Sequence, residues 1–344
     1  MRSHEGFIVR DTDIEVTWID NNDRIDAALL ADAMVFGNMS PEHPDYLLPL
    51  RNDAFYVMHD HAPIKGFRKR YRAIQEQGRA TFYEVFRRRP DDHEAVDGEP
   101  FHFRSIEAAN QVIIWGTDLL PDEIEDNVTL LQHAPREKRR AVVFVGTVWR
   151  RNYPDMADLA RAAADRDLVF DQYGRHFAEA PWPDDRRVCL HPYPVPLLEN
   201  IRLVREALIA PAVQGRSQMQ NDDDVGNYIP CRIFKNISYG AEGATNNRTV
   251  YDLFDGDIPF STDLGELLDL ALARADGADR KDRLHAQMRR VAAHHTYINR
   301  IHTLLAFARQ RYEHCGRPAP ASSSVDPAWL GARRIHRALR GWQY

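Results

Sequence analysis

The chain has 344 residues, 44% of them hydrophobic, enough for about two domains of roughly 150 residues each with a sizeable core. Its formal charge of −6 at pH 7 excludes a general attraction to nucleic acid or to an anionic membrane, so partners must be recognised locally. Cys189, Cys231 and Cys315 stand far apart and form no CxxC pair, which indicates neither a disulfide framework nor a zinc site and fits a reducing cytoplasm. The opening MRSHEGFIVRDTDIEV lacks the apolar core of a signal peptide, and no window approaches the ~20 apolar residues of a membrane span.

In chain order, Phe7–Val9 and Ile14–Ile19 read as short strands around Asp11-Thr12-Asp13. That Asp-x-Asp phrase is read as a turn whose side chains bond their own backbone, not as a metal grip, and so are Asp222-Asp223-Asp224 and Asp255-Gly256-Asp257. Apolar residues from Arg24 to Phe36 return at helical spacing, and Pro41, Pro44 and Pro49 then impose an extended loop. Ala54–Met58 is an apolar run that delivers His59, Asp60 and His61 at its carboxyl end, where ligands of open α/β sheets sit. Either imidazole could take a proton near neutral pH, and Asp60 could orient or replace it. Lys65–Arg89 reads as a basic helix with aromatic interruptions, an Arg-rich face over a core stripe. The apolar runs Val112–Trp115 and Val128–Leu131 read as further strands, and their alternation with helical stretches implies a parallel sheet. The polar run Pro135–Arg140 is placed as the linker, giving a first domain over 1–138 and a second over 139–315.

The second half restarts with the strand Ala141–Val145, then Gly146-Thr147, Arg150 and a helix over Tyr153–Ala164, the order by which backbone N–H groups reach a phosphate. Strands follow at Leu168–Phe170, Val188–Leu190 and Leu208–Ala210, and a polar loop runs from Pro211 to Asp224. The chain is organised around Tyr228–Phe254. Ile233, Phe234 and Ile237 lie on one side of a short helix while Arg232, Lys235, Asn236 and Ser238 lie on another. Pro230 suits the first helical turn, Gly240 its end, and Asn246-Asn247 a polar turn beyond. A helix N-terminus flanked by Arg232 and Lys235 is a seat for a diphosphate. Amphipathic helices follow over Leu264–Ala275 and Arg280–Ala308; His294 and His295 do not share a helical face, so no metal site is expected there. A Pro/Ser linker, residues 316–327, leads to the basic helix Trp329–Tyr344, which either crosses back to the first domain or lies on an anionic bilayer as a peripheral membrane contact.

The phrase RIFKNISYG, the following TNN, the late HTYINR and the strand-loop FVGT together resemble the C-terminal half of GT-B glycosyltransferases, particularly the spore-maturation CgeB-like group, over residues 140–310. The resemblance implies an α/β, GT-B-like fold of two Rossmann-like domains facing a cleft. It implies a cytoplasmic bacterial enzyme of glycan biosynthesis that moves a hexosyl or deoxyhexosyl group from a nucleotide diphospho-sugar to the hydroxyl of a glycan, lipid-linked glycan or protein. No metal, no other cofactor and no nucleic acid would be needed. Donor contacts would come from Gly146, Thr147, Arg150, Tyr228, Arg232, Lys235, Ser238, Asn246, Asn247 and Thr249, with His59, Asp60 or His61 as base or stabiliser. One departure stands out: Lys235 and Asn227 occupy the places of the usual Glu-x7-Glu pair, and a cation at 235 suits phosphate better than ribose. A nucleotide-sugar epimerase of the same architecture and an inactive nucleotide- or sugar-binding module are the alternatives.

Overall fold

A computed structural model describes residues 34–37, 54–59, 80–85, 94–96 and 99–101 as backbone, and residues 116–133, 138–150, 152–177, 181–214, 230–296 and 299 in more detail. The chain divides into two compact units, one holding all described residues through Phe101 and the other those from Gly116 to Asn299. The expected class, α/β with two parallel-sheet units, is what the chain adopts.

In the first unit β1 (Met34–Gly37), β2 (Ala54–His59) and β3 (Ala80–Val85) form a parallel sheet in that order, and β4 (Glu94–Val96) pairs antiparallel with β5 (Glu99–Phe101). β2 confirms the strand expected before His59. Two helical expectations fail here. Met34-Val35-Phe36 ends the Arg24–Phe36 stretch as strand, and Ala80–Val85, within the supposed helix Lys65–Arg89, is strand as well. In both, apolar and β-branched or aromatic residues are continuous enough to pair with β2, and tertiary pairing overrides helical spacing.

The second unit opens with α1 (Pro121–His133), followed by β6 (Arg139–Val145), α2 (Tyr153–Ala164), β7 (Val169–Tyr173), β8 (Val188–His191), α3 (Leu197–Glu206) and β9 (Ala207–Ile209). Beyond it lie α4 (Cys231–Tyr239), α5 (Arg248–Leu253), α6 (Leu264–Asp276) and α7 (Arg280–His294). Val128–Leu131, expected as a strand, belongs to α1: Ile124, Asn127, Val128 and Leu131 are its buried residues, at helical spacing. α1 belongs to the second unit, whose described residues start at Gly116. α7 ends at His294, short of the expected Ala308, with His295 as its C-cap.

The parallel sheet runs β8-β7-β6-β9. Single bridges continue it from Ile209 to Glu242, Ala212 to Thr245 and Thr245 to Phe260. By order of appearance in the chain the spatial order is therefore 3-2-1-4-5-6, the doubly wound arrangement of dinucleotide-binding folds. On one face α2 and α6 bury Met156, Leu159, Ala163, Leu267, Leu268 and Ala271 against Val142, Phe144 and Phe170. Sheets buried on both faces demand such continuous apolar strands, and Ala141–Phe144 is wholly buried.

Candidate functional site

In this order the strand connections reverse direction between β6 and β9, and ligands of such sheets bind at the carboxyl ends flanking that point. β6 ends at Val145 and the chain turns at Gly146, with φ 154°. The Gly146 N–H donates to Tyr173 O (2.8 Å), and the Gln172 amide donates to the carbonyls of Gly146 (2.9 Å) and Gly174 (3.0 Å). The loop is laced further by Val148 N–H to Arg175 O and Phe177 N–H to Val148 O. It is thus a built turn, fixed from β7, whose glycine has a specific reason: a Cβ there would stand 2.5 Å from Nη2 of Arg232.

Arg232 lies in the first turn of α4, half-buried. Its guanidinium sits over the Phe144 ring, 4.1 Å from the centroid, and Nε donates to Val145 O at 3.3 Å. Stacking and one backbone acceptor fix a planar cation beside the glycine turn. α4 starts after Pro230, whose extended backbone (φ −71°, ψ 129°) forms the N-cap, so the proline lies one position before the expected helical turn and supplies no side-chain cap. The Arg232 guanidinium, carried on the first turn of α4, hence meets the Gly146 turn at the switch point, an arrangement suited to an anion. The helix ends as expected, with Gly240 left-handed at φ 99° and a Cβ there only 2.6 Å from Leu131 Cδ1.

The remaining donor candidates fare differently. Lys235 and Ser238 point to α1 and the segment before it. Lys235 Nζ lies 3.7 Å from Asp118 Oδ2, with side-chain exposures of 18% and 7%, and the Tyr239 hydroxyl donates to Asp118 Oδ1 at 2.8 Å. Ser238 Oγ donates to Lys235 O (2.8 Å) and pairs with the Thr117 hydroxyl (2.8 Å), while the Asn127 amide donates to Ser238 O (3.1 Å). Asn246 is spanned by Gln214, accepting from its N–H (2.9 Å) and donating to its carbonyl (2.8 Å). Asn247 caps α5 through Val250 N–H (3.2 Å) and donates to Gln214 Oε1 (2.5 Å). These two asparagines clamp the end of the Ala210–Gln214 segment, on the β9 side of the switch point. Thr147 is half-buried, and Arg150 is exposed with Nε donating to Phe177 O at 3.3 Å. Thr249 falls in α5.

Tyr228, Asp60 and His61 lie outside the described residues; His59 is the last residue of β2, in register with Val85. Asp255 and Gly256 both take positive φ, 53° and 78°, in a turn, as their phrase was read. Among the described residues no group of three or more His, Cys, Asp or Glu side chains is placed to hold a metal, and no helix is long and apolar enough to cross a membrane. His295 is instead stacked on Phe234 at 4.4 Å, as core. Sequence reading missed Phe144 beneath Arg232, Gln214 between the asparagines and Asp118 opposite Lys235. Their partners are 32 to 121 residues away, so no local pattern could have pointed to them.

No protein-family description and no curated protein matches the sequence. Among solved structures the chain is similar to a trehalose-6-phosphate synthase (12% identity, TM-score 0.49, 78% of this chain and 74% of that one). It is similar also to an α,α-trehalose-phosphate synthase (UDP-forming) from Burkholderia xenovorans (12%, 0.44, 76% and 74%). A third is an α-glucosyltransferase in complex with UDP-glucose and DNA containing an abasic site (9%, 0.47, 76% and 76%). With every one of these TM-scores below 0.5, the functional reading rests on the chain's own residues.

Proposed function

We propose that the chain is a glycosyltransferase that takes a sugar from a nucleotide diphospho-sugar and passes it to an acceptor hydroxyl. The observation that carries this reading is the Arg232 guanidinium held against the Gly146 turn, beside the first turn of α4, at the switch point of a doubly wound sheet. In the reaction the acceptor oxygen bonds to the anomeric carbon while the bond from that carbon to the diphosphate oxygen breaks. The acceptor proton passes to a base, for which His59, Asp60 and His61 are the candidates. Negative charge gathers on the leaving diphosphate, where Arg232 and the α4 N–H groups would offset it without calling on a metal. Lys235 is reassigned: its pairing with Asp118 makes it a support of α4.

Isothermal titration with UDP-, GDP-, TDP- and CMP-linked ligands tests the reading. At least one nucleotide diphosphate should bind, with Arg232→Gln weakening it at least tenfold, and donor turnover should depend on added acceptor. Donor isomerised without acceptor would instead identify an epimerase. Binding that is indifferent to Arg232→Gln would remove the proposed seat.

A further inference from the structure

Past the Gly146 and Gly174 turns the chain continues from β6 and β7 side by side and carries two aromatic rings into solvent. The Val148 N–H donates to Arg175 O (2.8 Å) and the Phe177 N–H to Val148 O (2.9 Å), so that Val148 pairs with His176 in parallel. The residues that follow this pair, Trp149 and Phe177, stack with ring centroids 4.8 Å apart and planes 15° from parallel. They are 56% and 43% exposed, and Trp149 is the most exposed large apolar side chain among the described residues. Both are fixed through the backbone. Asn152 Oδ1 accepts from the Trp149 N–H (2.7 Å), and Trp149 O accepts from the N–H groups of Asn152 (3.1 Å) and Tyr153 (3.0 Å), which opens α2. Arg150 Nε joins the two loops by donating to Phe177 O at 3.3 Å.

Two rings held half in water bring the fold little hydrophobic gain, so their fixed position calls for a ligand. Arg150 and Arg175, both exposed, adjoin the pair in the chain and border it with guanidinium donors. A small apolar platform edged by such donors matches a pyranose: the C–H face of the sugar rests on the negative π face while its hydroxyl oxygens accept from the rim. An acyl chain or a protein partner would call for a wider apolar patch than two rings between arginines. A nucleobase would be enclosed on most of its surface, whereas this platform is open and suits a ligand that runs on into solvent. Trp149 lies three residues beyond Gly146, at most about 10 Å along the chain from the turn that meets Arg232. An acceptor resting on the rings would therefore bring a hydroxyl near a sugar whose diphosphate occupies that turn. We propose that the stacked Trp149–Phe177 pair is a carbohydrate subsite for the acceptor, which, resting on the glycosyl-transfer reading, narrows the acceptor to an oligosaccharide or longer glycan.

The test titrates the full chain with maltotetraose, cellotetraose, chitotetraose and tetragalacturonate, followed by calorimetry and tryptophan fluorescence. At least one tetrasaccharide should bind and change the fluorescence. Trp149→Ala and Phe177→Ala should each weaken that binding about five- to tenfold, and Trp149→Phe should restore most of it. Because both side chains are exposed, the melting temperature should stay within ~2 °C in these variants, which separates lost binding from lost fold. Affinity for the nucleotide diphosphate should hold within about twofold in both alanine variants and fall in Arg232→Gln. A nucleotide affinity that drops with the rings would reassign them to the base and overturn the subsite. Failure of all four tetrasaccharides to bind, or transfer that proceeds undiminished in Trp149→Ala, would overturn it too; a nucleotide still gripped through Arg232 would then leave the transfer reading standing. Tetrasaccharide binding that depends on Trp149 in a chain without nucleotide affinity would remove the transfer reading, and the acceptor role with it.

Discussion

Successive turns of α4 present similar polar residues and end in opposite surroundings. Arg232, in the first turn, lies on Phe144 and against Gly146, at the carboxyl edge of the sheet where a ligand can approach. Lys235 and Ser238, one and two turns on, are drawn into Asp118, Thr117, Tyr239 and Asn127 and hold the helix against α1 and the segment preceding it. A cation near a phosphate seat and a cation within a structural cluster look alike in sequence. What separates them is the company each keeps: the Phe144 ring and the Val145 carbonyl beside Arg232, the Asp118 carboxylate beside Lys235.

The sharpest way to break this contrast is to neutralise the two cations in turn. Arg232→Gln should reduce nucleotide-diphosphate affinity about ten- to a hundredfold, as loss of charge-assisted bonds to phosphate does, and leave the melting temperature within ~2 °C. Lys235→Met should do the reverse. It leaves the Asp118 carboxylate enclosed without its cation and should cost about 1–3 kcal/mol in urea unfolding, below the full penalty for a buried pair because Lys235 remains partly exposed. Turnover per folded molecule should persist. Equal effects of both variants on binding would erase the distinction between the two turns.

A smaller effect is expected at Gly146→Ala. The new methyl group would meet the Arg232 guanidinium, a movable side-chain end, so the change should displace the cation. Binding should weaken severalfold and stability fall by about 1 kcal/mol from the positive φ. Restoration of affinity in Gly146→Ala by elevated magnesium, which could neutralise the diphosphate in its place, would sharpen the assignment of Arg232 as a charge donor. A separate effect, spread over several pH units, concerns the amino edge of the sheet. Burial first, and Arg280 second, hold Lys138 at about 7 in the folded chain. Between that value and the ordinary ~10.4 the unfolded chain binds a proton that the folded chain does not. Stability should therefore rise with pH across this window, by no more than about 1 kcal/mol per unit, and be lowest below pH 7. Lys138→Met should flatten the slope; an unchanged slope by urea unfolding at pH 7, 8 and 9 would place the titration elsewhere.

Much of the second unit was legible because its signals are local. Ala141–Val145 is apolar without interruption, Gly146 follows it and α2 begins at Tyr153 as spacing predicts. The periodicity of Ile233, Phe234 and Ile237, with Gly240 beyond, sets the limits of α4 to within a residue. Elements whose state depends on a distant partner were not legible. Ala80–Val85 is a strand because β2 lies alongside, and Val128–Leu131 is helical because Ile124 and Asn127 bury the same face. The same limit governs the site, where Gly146 was expected to share one donor seat with Arg232 and Lys235 alike, and no local pattern told which of the two cations meets the turn.

The sequence by itself determined the α/β class, the glycine turn after β6 and the short capped helix with a cation in its opening turn, because each follows from backbone preference and apolar spacing over a few residues. Only the tertiary structure decided which cation faces the turn. Arg232 reaches Val145 across 87 residues of chain, Tyr239 reaches Asp118 across 121 and Lys235 pairs with the same carboxylate. Electrostatic pairing is settled by distance in space, which no periodicity along the chain encodes.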